Sequence, residues 1–228
     1  YEPKSGLGFA RLTGIHLSTG SWISFLDDDA MASPDWLERA YKIILAEAGL
    51  DGLGGRIYPY YLATPPDWFL DRYEMYTWGD TARLLHKGEA FAGSNMFFRR
   101  GILEKISPAM HGLGMNGNIM DYGEDTVLFE RAWQVVGHPK FYYDPELTVR
   151  HATPSKRMEI GYILRRQFSI GASNFKRNGP RQLVPRIGFI LRHTGSLIRL
   201  TLRMLILRVS YSRQENWFVE CGGPVVKK

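Results

Sequence analysis

Three adjacent carboxylates, Asp27, Asp28 and Asp29, follow the apolar run WISFL at 22–26. Like charges in a row repel, so a fold that keeps them close needs a bound cation or exposure to water to offset the cost. WISFL is short, apolar and partly β-branched or aromatic, which marks a buried strand. The triplet therefore falls at a strand's carboxyl end, the edge where open α/β sheets take ligands. If extended geometry persists, Asp27 and Asp29 point one way and Asp28 the other. Hard carboxylate oxygens suit Mg²⁺ or Mn²⁺, with waters and substrate phosphates completing the shell. The competing reading is an exposed acidic turn.

A second acidic feature, Glu124-Asp125, stands just ahead of a run in which Val127, Leu128, Ala132 and Val135 recur near a 3.6 period. One reading is helix capping and complementarity to the helix dipole. The other makes Asp125 a general base, since a carboxylate can take a proton as a hydroxyl begins to attack. His151 ends the strand-like run FYYDPELTVRHA, where a lone histidine is ordinarily structural or exposed.

Regular elements must hold these groups. Residues 7–18 read as a short helix, and Ser33-Pro34 as a helix start running to about Ala48. Strands are expected at 53–61, 91–100 (broken by a Gly93-Ser94-Asn95 corner) and 141–152, with short helices at 66–78 and 101–106 and a glycine-rich loop at 111–118. Among 66–78, Trp68, Tyr73, Tyr76 and Trp78 suit either sugar stacking or packing. The strand–helix alternation indicates a layered α/β domain.

The formal net charge of +6 conceals a segregation. Residues 1–150 hold 14 Lys and Arg against 20 Asp and Glu, whereas residues 151–228 hold 15 against 3, a net of +12. The basic part reads as two helices, 157–175 and about 185–209. The second carries Arg192, Arg199 and Arg203 on one side, an in-plane amphipathic pattern rather than a spanning one. Docking on an anionic membrane and docking on the acidic domain both fit. A single cysteine, Cys221, excludes an internal disulfide and multi-cysteine metal sites. The opening YEPKSGLGF has neither a basic n-region nor an apolar h-region.

Four segments in order give a resemblance. SGLGFARLTGIHLSTGSWISFLDDDAMASPDWLE, FAGSNMFFRR, YGEDTVLFERAWQVVG and YYDPELTVRHATP are similar to the core of family-2 glycosyltransferases of the GT-A type. The resemblance implies a Rossmann-like, partial GT-A core at 1–154 and a basic helical region at 155–228. It implies a nucleotide-diphospho-sugar donor, a glycan or lipid-linked acceptor, and Mg²⁺ or Mn²⁺. By that likeness Asp27 and Asp29 are the outer members of an Asp-x-Asp motif, and Asp28 its variable middle. Asp29 faces the cation most directly. Asp125 is the catalytic base beside Glu124, and Gly93, Ser94 and Asn95 line the sugar and acceptor pocket. Arg11 lies at the donor-side wall, and His151 sits near the diphosphate or cation. The family's opening strand, with its Pro-x-Tyr-Asn-like segment, and two further strand–helix units do not precede Tyr1, so the core is expected to be incomplete at its N-terminus. A Gln-x-x-Arg-Trp motif is absent, Arg165-Arg166-Gln167 being no match, which favours single addition over polymer extrusion. The expected location is cytoplasmic, peripheral on the inner membrane face.

Two rival readings remain at this level. Strand-end carboxylates also serve metal-dependent phosphoryl hydrolases and nucleotidyltransferases. The basic part alone suits a non-catalytic fragment or a membrane or nucleic-acid module. No nucleic-acid partner is expected, because basic and aromatic positions do not interleave at strand periodicity.

Overall fold

A computed structural model describes residues 1–114 and 123–178. The expected amphipathic helix at 185–209 lies outside the described residues. The chain divides into two compact units, the first Tyr1–Leu62 with Glu74–Pro154, the second Ala63–Tyr73 with the chain from Ser155.

The first unit is a mixed α/β layer. Its elements in order are α1 (Leu7–Leu17), β1 (Trp22–Phe25), β2 (Ala30–Ala32), α2 (Trp36–Ala46), β3 (Gly52–Tyr61), β4 (Arg83–Leu84), β5 (Met96–Arg99), α3 (Arg100–Ile106), α4 (Glu124–Val136) and β6 (Phe141–Thr153). The sheet runs β1-β5-β3-β6-β2, with β4 also on β6. β3 and β6 are parallel and the other pairings antiparallel.

Strand alternation splits the apolar residues between two cores. Met96 and Phe98 of β5 face one core with Ile15, Leu103, Leu128, Phe129 and Phe141. Phe97 faces the other with Trp36, Ala40, Leu53, Ile57 and Val149. The first core is an aromatic cluster in which Phe129 meets Phe141 at 4.7 Å and Phe91 at 5.2 Å between ring centroids.

A register shift in β6 changes which of its residues look each way. Tyr143 pairs with Gly54 and belongs to the first core, yet Val149, of the same parity, pairs with Ile57 and belongs to the second. Between them the ladder skips from Gly55–Asp144 to Ile57–Val149. The extra β6 residues, which include Pro145, bulge and invert the side-chain phase. Gly55 is required here: a Cβ would lie 2.7 Å from the Asp144 carbonyl and closer still to that of Leu147.

Local departures from the expected elements have physical causes. The three residues Ala30–Ala32 form β2 against β6, a strand too short to show alternation. Helix α2 begins at Trp36 rather than Pro34, because the Ser33 carbonyl takes the Trp36 N–H in a preceding turn. A helix over 66–78 does not form; only a 3₁₀ turn at Asp71–Tyr73 is present. Tyr76 instead bridges Ile57 as extended chain, and the Tyr76 hydroxyl and Trp78 Nε1 both donate to the Ala90 carbonyl. Two residues apart, they share a face by strand alternation rather than by helical spacing.

The second unit contains α5 (Ile160–Asn178) and the segment Ala63–Tyr73. Trp68, Phe69 and Tyr73 are buried and pack edge-on or tilted, so Trp68 and Tyr73 are packing residues here rather than an exposed stacking platform. Arg166 of α5 donates to the Tyr73 carbonyl at 2.6 Å. No helix among the described residues is long and apolar enough to cross a membrane.

Candidate active site

β1 delivers its chain into a turn in which the Ala30 N–H bonds the Asp27 carbonyl, and β2 then pairs with β6. Ala30 falls opposite His151, and the Ala152 N–H bonds the Asp29 carbonyl. The register of a three-residue strand thus places His151 against the acidic triplet. Its Nε2 lies 3.2 Å from Asp29 Oδ1 and 3.5 Å from Asp27 Oδ2. One donor atom from each of Asp27, Asp29 and His151 lies within 4.8 Å of the others. Asp28 is exposed and outside this cluster; a turn rather than extended alternation brings Asp27 and Asp29 to the same side.

Two carboxylates and an imidazole at strand ends form a donor set of the kind that takes a divalent cation. The residues present therefore fit a metal: Asp27, Asp29 and His151 would hold it. An exposed acidic turn would explain the carboxylates, but it does not account for a histidine brought in from β6.

The second acidic pair meets the first through Arg11. Gly8, Arg11 and Ile15 are the buried positions of α1, so the arginine lies on the helix's inward stripe and is only 7% exposed. A buried guanidinium requires partners. Its Nη1 donates to Asp125 Oδ1 at 2.6 Å and lies 3.5 Å from Glu124 Oε1, while Nη2 is 4.0 Å from Asp27 Oδ1. The guanidinium also lies over the Phe25 ring, 5.6 Å from its centroid. The remaining Asp125 oxygen accepts the Gly93 N–H at 2.9 Å.

Capping does not describe Asp125. The residue ahead of α4 is Gly123, and both Asp125 oxygens turn to groups outside the helix. Burial pushes the Asp125 carboxyl up, against the pull of Arg11 and of the Gly93 N–H. Burial, reinforced by the charge on Asp125, pushes Glu124 up to about 7, with Arg11 opposing. Three carboxylates thus surround one buried cation, and near neutrality a proton resides in the pair Glu124–Asp125 for part of the time.

Gly93, Ser94 and Asn95 separate in role. Gly93 abuts the network directly; a Cβ there would overlap Arg11 Nη2 and lie 3.0 Å from Asp125 Oδ1. Ser94 is buried. Asn95 departs from the pocket-lining expectation: it is 0% exposed and its amide is consumed by the fold. Its Nδ2 donates to the carbonyls of Leu147 at 2.7 Å and Arg56 at 3.1 Å, and its Oδ1 accepts Trp36 Nε1–H at 2.9 Å. The amide fastens α2, β3 and β6 behind the site. Arg11, expected at the donor-side wall, lies between Asp27 and the pair Glu124–Asp125. Its signal in the sequence is its spacing, three residues after Gly8 and four before Ile15, the other buried positions of α1.

The molecule is a mixed α/β sheet with two carboxylates and a histidine, a donor set that could take a cation, gathered at strand ends. Residues 2–107 match the family model described as Glycosyl transferase family 2. Over that segment the chain is similar to family-2 glycosyltransferases. It is 24% identical over 175 residues to "Glucosyl-dolichyl phosphate glucuronosyltransferase" of Haloferax volcanii, covering 75% of this chain and 56% of that protein. It is 29% identical over 178 residues to "Succinoglycan biosynthesis protein ExoM" of Rhizobium meliloti, covering 75% and 53%. The chain spans about half the length of these curated relatives. A solved structure of GalNAc-T7 with UDP, GalNAc and Mn²⁺ superposes with a TM-score of 0.45 at 19% identity, covering 67% of this chain and 31% of that one.

Proposed function

We propose that the protein transfers a sugar, with inversion, from a nucleotide-diphospho-sugar to a hydroxyl of a glycan or lipid-linked acceptor. The observation that carries the reading is the junction at Arg11 of two acidic groups far apart in sequence: Asp27 of the donor cluster Asp27/Asp29/His151, and Asp125. A divalent cation held by Asp27, Asp29 and His151 would supply charge neutralisation for the departing diphosphate. With a nitrogen donor in the set, Mn²⁺ fits better than Mg²⁺, which prefers oxygen alone.

The chain's own residues then divide the work. Asp125 accepts the acceptor hydroxyl's proton as that oxygen bonds to the anomeric carbon. The bond from that carbon to the diphosphate breaks, and its electron pair leaves with the nucleoside diphosphate. Displacement in one step from the opposite face inverts the configuration. Each Asp125 oxygen is fixed by one donor and retains a second lone pair for the proton. Glu124, neutral for part of the time, limits the negative charge beside Asp125.

The net +12 beyond residue 150 supports docking on an anionic inner membrane face, where a lipid-linked acceptor would be met. Flotation with anionic vesicles that weakens as salt rises would bear this out; equal flotation with neutral vesicles would not.

The test of the reaction is transfer by the whole reading frame that contains the chain. Nucleotide-diphospho-sugars are supplied with hydroxyl acceptors and Mn²⁺. Asp125→Asn should lower the rate about 10²–10⁴-fold while leaving donor binding intact. Sugar release that ignores the acceptor would favour a phosphoryl hydrolase instead, and undiminished transfer by the variant would remove Asp125 as base.

A further inference from the structure

We propose that Arg11 is a positioning residue that keeps Asp125 ionised and aimed, and that it couples this carboxylate to Asp27. What Asp125 does rests on the glycosyl-transfer reading above; what Arg11 does rests on the geometry around it.

The guanidinium is enclosed on several sides. Phe25 covers one face, Gly93 leaves no room beyond Nη2, and Asp125, Glu124 and Asp27 receive its edge. At 7% exposure its charge is little screened by water. Among the described residues, the titratable and charged groups facing Asp125 are Arg11 from α1, Asp27 from the turn after β1, Glu124 from its own helix and Tyr76 from the extended segment. Tyr76 is neutral and spends its hydroxyl on the Ala90 carbonyl. Asp27 and Glu124, when ionised, both disfavour a further negative charge. Arg11 opposes them and the burial, with help from the Gly93 N–H. Without the cation, burial and the neighbouring carboxylates would be opposed only by the Gly93 N–H, which shifts Asp125 toward its protonated form and away from the form that can accept a proton.

The fork of the guanidinium matters as well as its charge. One nitrogen serves Asp125 and approaches Glu124 while the other faces Asp27, a division that a single ammonium does not reproduce. Arg11 is therefore placed to transmit a displacement of Asp27, such as ligand capture would bring, to the carboxylate on α4.

The experiment compares Arg11→Gln and Arg11→Lys with the parent chain across pH 5 to 10. Arg11→Gln should move the acid limb of the transfer rate upward by about one pH unit or more, so that activity lost at neutrality returns at higher pH. Arg11→Lys should keep the limb near the parent's while lowering kcat, because charge is retained and geometry is not. A rate reduced equally at every pH, with the limb unmoved, would overturn the proposal and leave Arg11 a structural residue. Titration of the Asp125 carboxyl by ¹³C NMR, assigned with Asp125→Asn, reads the same quantity without turnover. An upward shift in Arg11→Gln supports the proposal and an unchanged midpoint overturns it, even if the parent transfers no sugar and the glycosyl-transfer reading fails. If Arg11→Gln does not fold, the pair Arg11→Gln/Glu124→Gln removes a buried carboxylate along with the cation, and Glu124→Gln becomes its reference.

Discussion

Replacing Glu124 by glutamine isolates the energetics of the buried acidic pair. The folded protein raises this carboxyl to about 7 from a reference value of 4.5, through burial first and Asp125 second. A raised folded value means that the folded state holds the proton more tightly than the unfolded chain. The resulting stabilisation is fully present below pH 4.5 and is lost as pH rises through 7. The slope is about 1.4 kcal/mol per pH unit within the window, and the total loss is about 3 kcal/mol. Glutamine is nearly isosteric and always neutral, so it should match the parent within about 0.5 kcal/mol near pH 4.5 and exceed it by up to about 3 kcal/mol at pH 8. Only the difference between the two proteins is read, so other titrating groups largely cancel. Chemical denaturation at several pH values between 4.5 and 8 supplies the curve. A difference that stays flat with pH, or a variant less stable at pH 8, would refute the claim that burial holds the proton on Glu124.

Three further outcomes are expected. Gly93→Ala should destabilise the fold by about 1–3 kcal/mol through overpacking against Arg11, read by thermal melting; an unchanged melt would mean that the guanidinium has room to move. Asn95→Ala should cost about 3 kcal/mol or more, because Trp36 Nε1–H and the carbonyls of Arg56 and Leu147 lose a buried partner; a loss under 1 kcal/mol by denaturant titration would contradict its scaffolding role. His151→Ala should weaken Mn²⁺ about tenfold or more in calorimetry, since one of three donors goes; unaltered affinity would exclude the histidine from the site.

The strand before the acidic triplet and the helix that opens at Glu124 were legible, the first from the short apolar and aromatic run WISFL and the second from a 3.6-residue stripe, although in the strand only Ile23 is buried. The layered α/β arrangement follows from their alternation. The segment 66–78 misled because its aromatics satisfy a helical spacing by chance. The chain there is mostly extended or turning, and the carbonyl of Ala90 collects two of the rings. Asn95 was legible as a polar break in a strand but not as a buried knot, since its three partners come from α2, β3 and β6 and no local pattern announces them. The phase inversion of β6 was hidden for the same reason: Pro145 signals an irregularity, but how many residues the bulge absorbs depends on the partner strand.

The pairing of β2 with β6 has a consequence for how the chain reaches its native state. Asp27 and Asp29 stand about 120 residues from His151, and closing a loop of that length is an entropic charge that local structure cannot meet. The trio Asp27, Asp29 and His151 therefore comes together only once β2 has paired with β6. A cation held there would act as a late clasp between distant parts of the chain, favouring the finished fold by mass action. A chain in which β2 and β6 have not yet paired presents no assembled site.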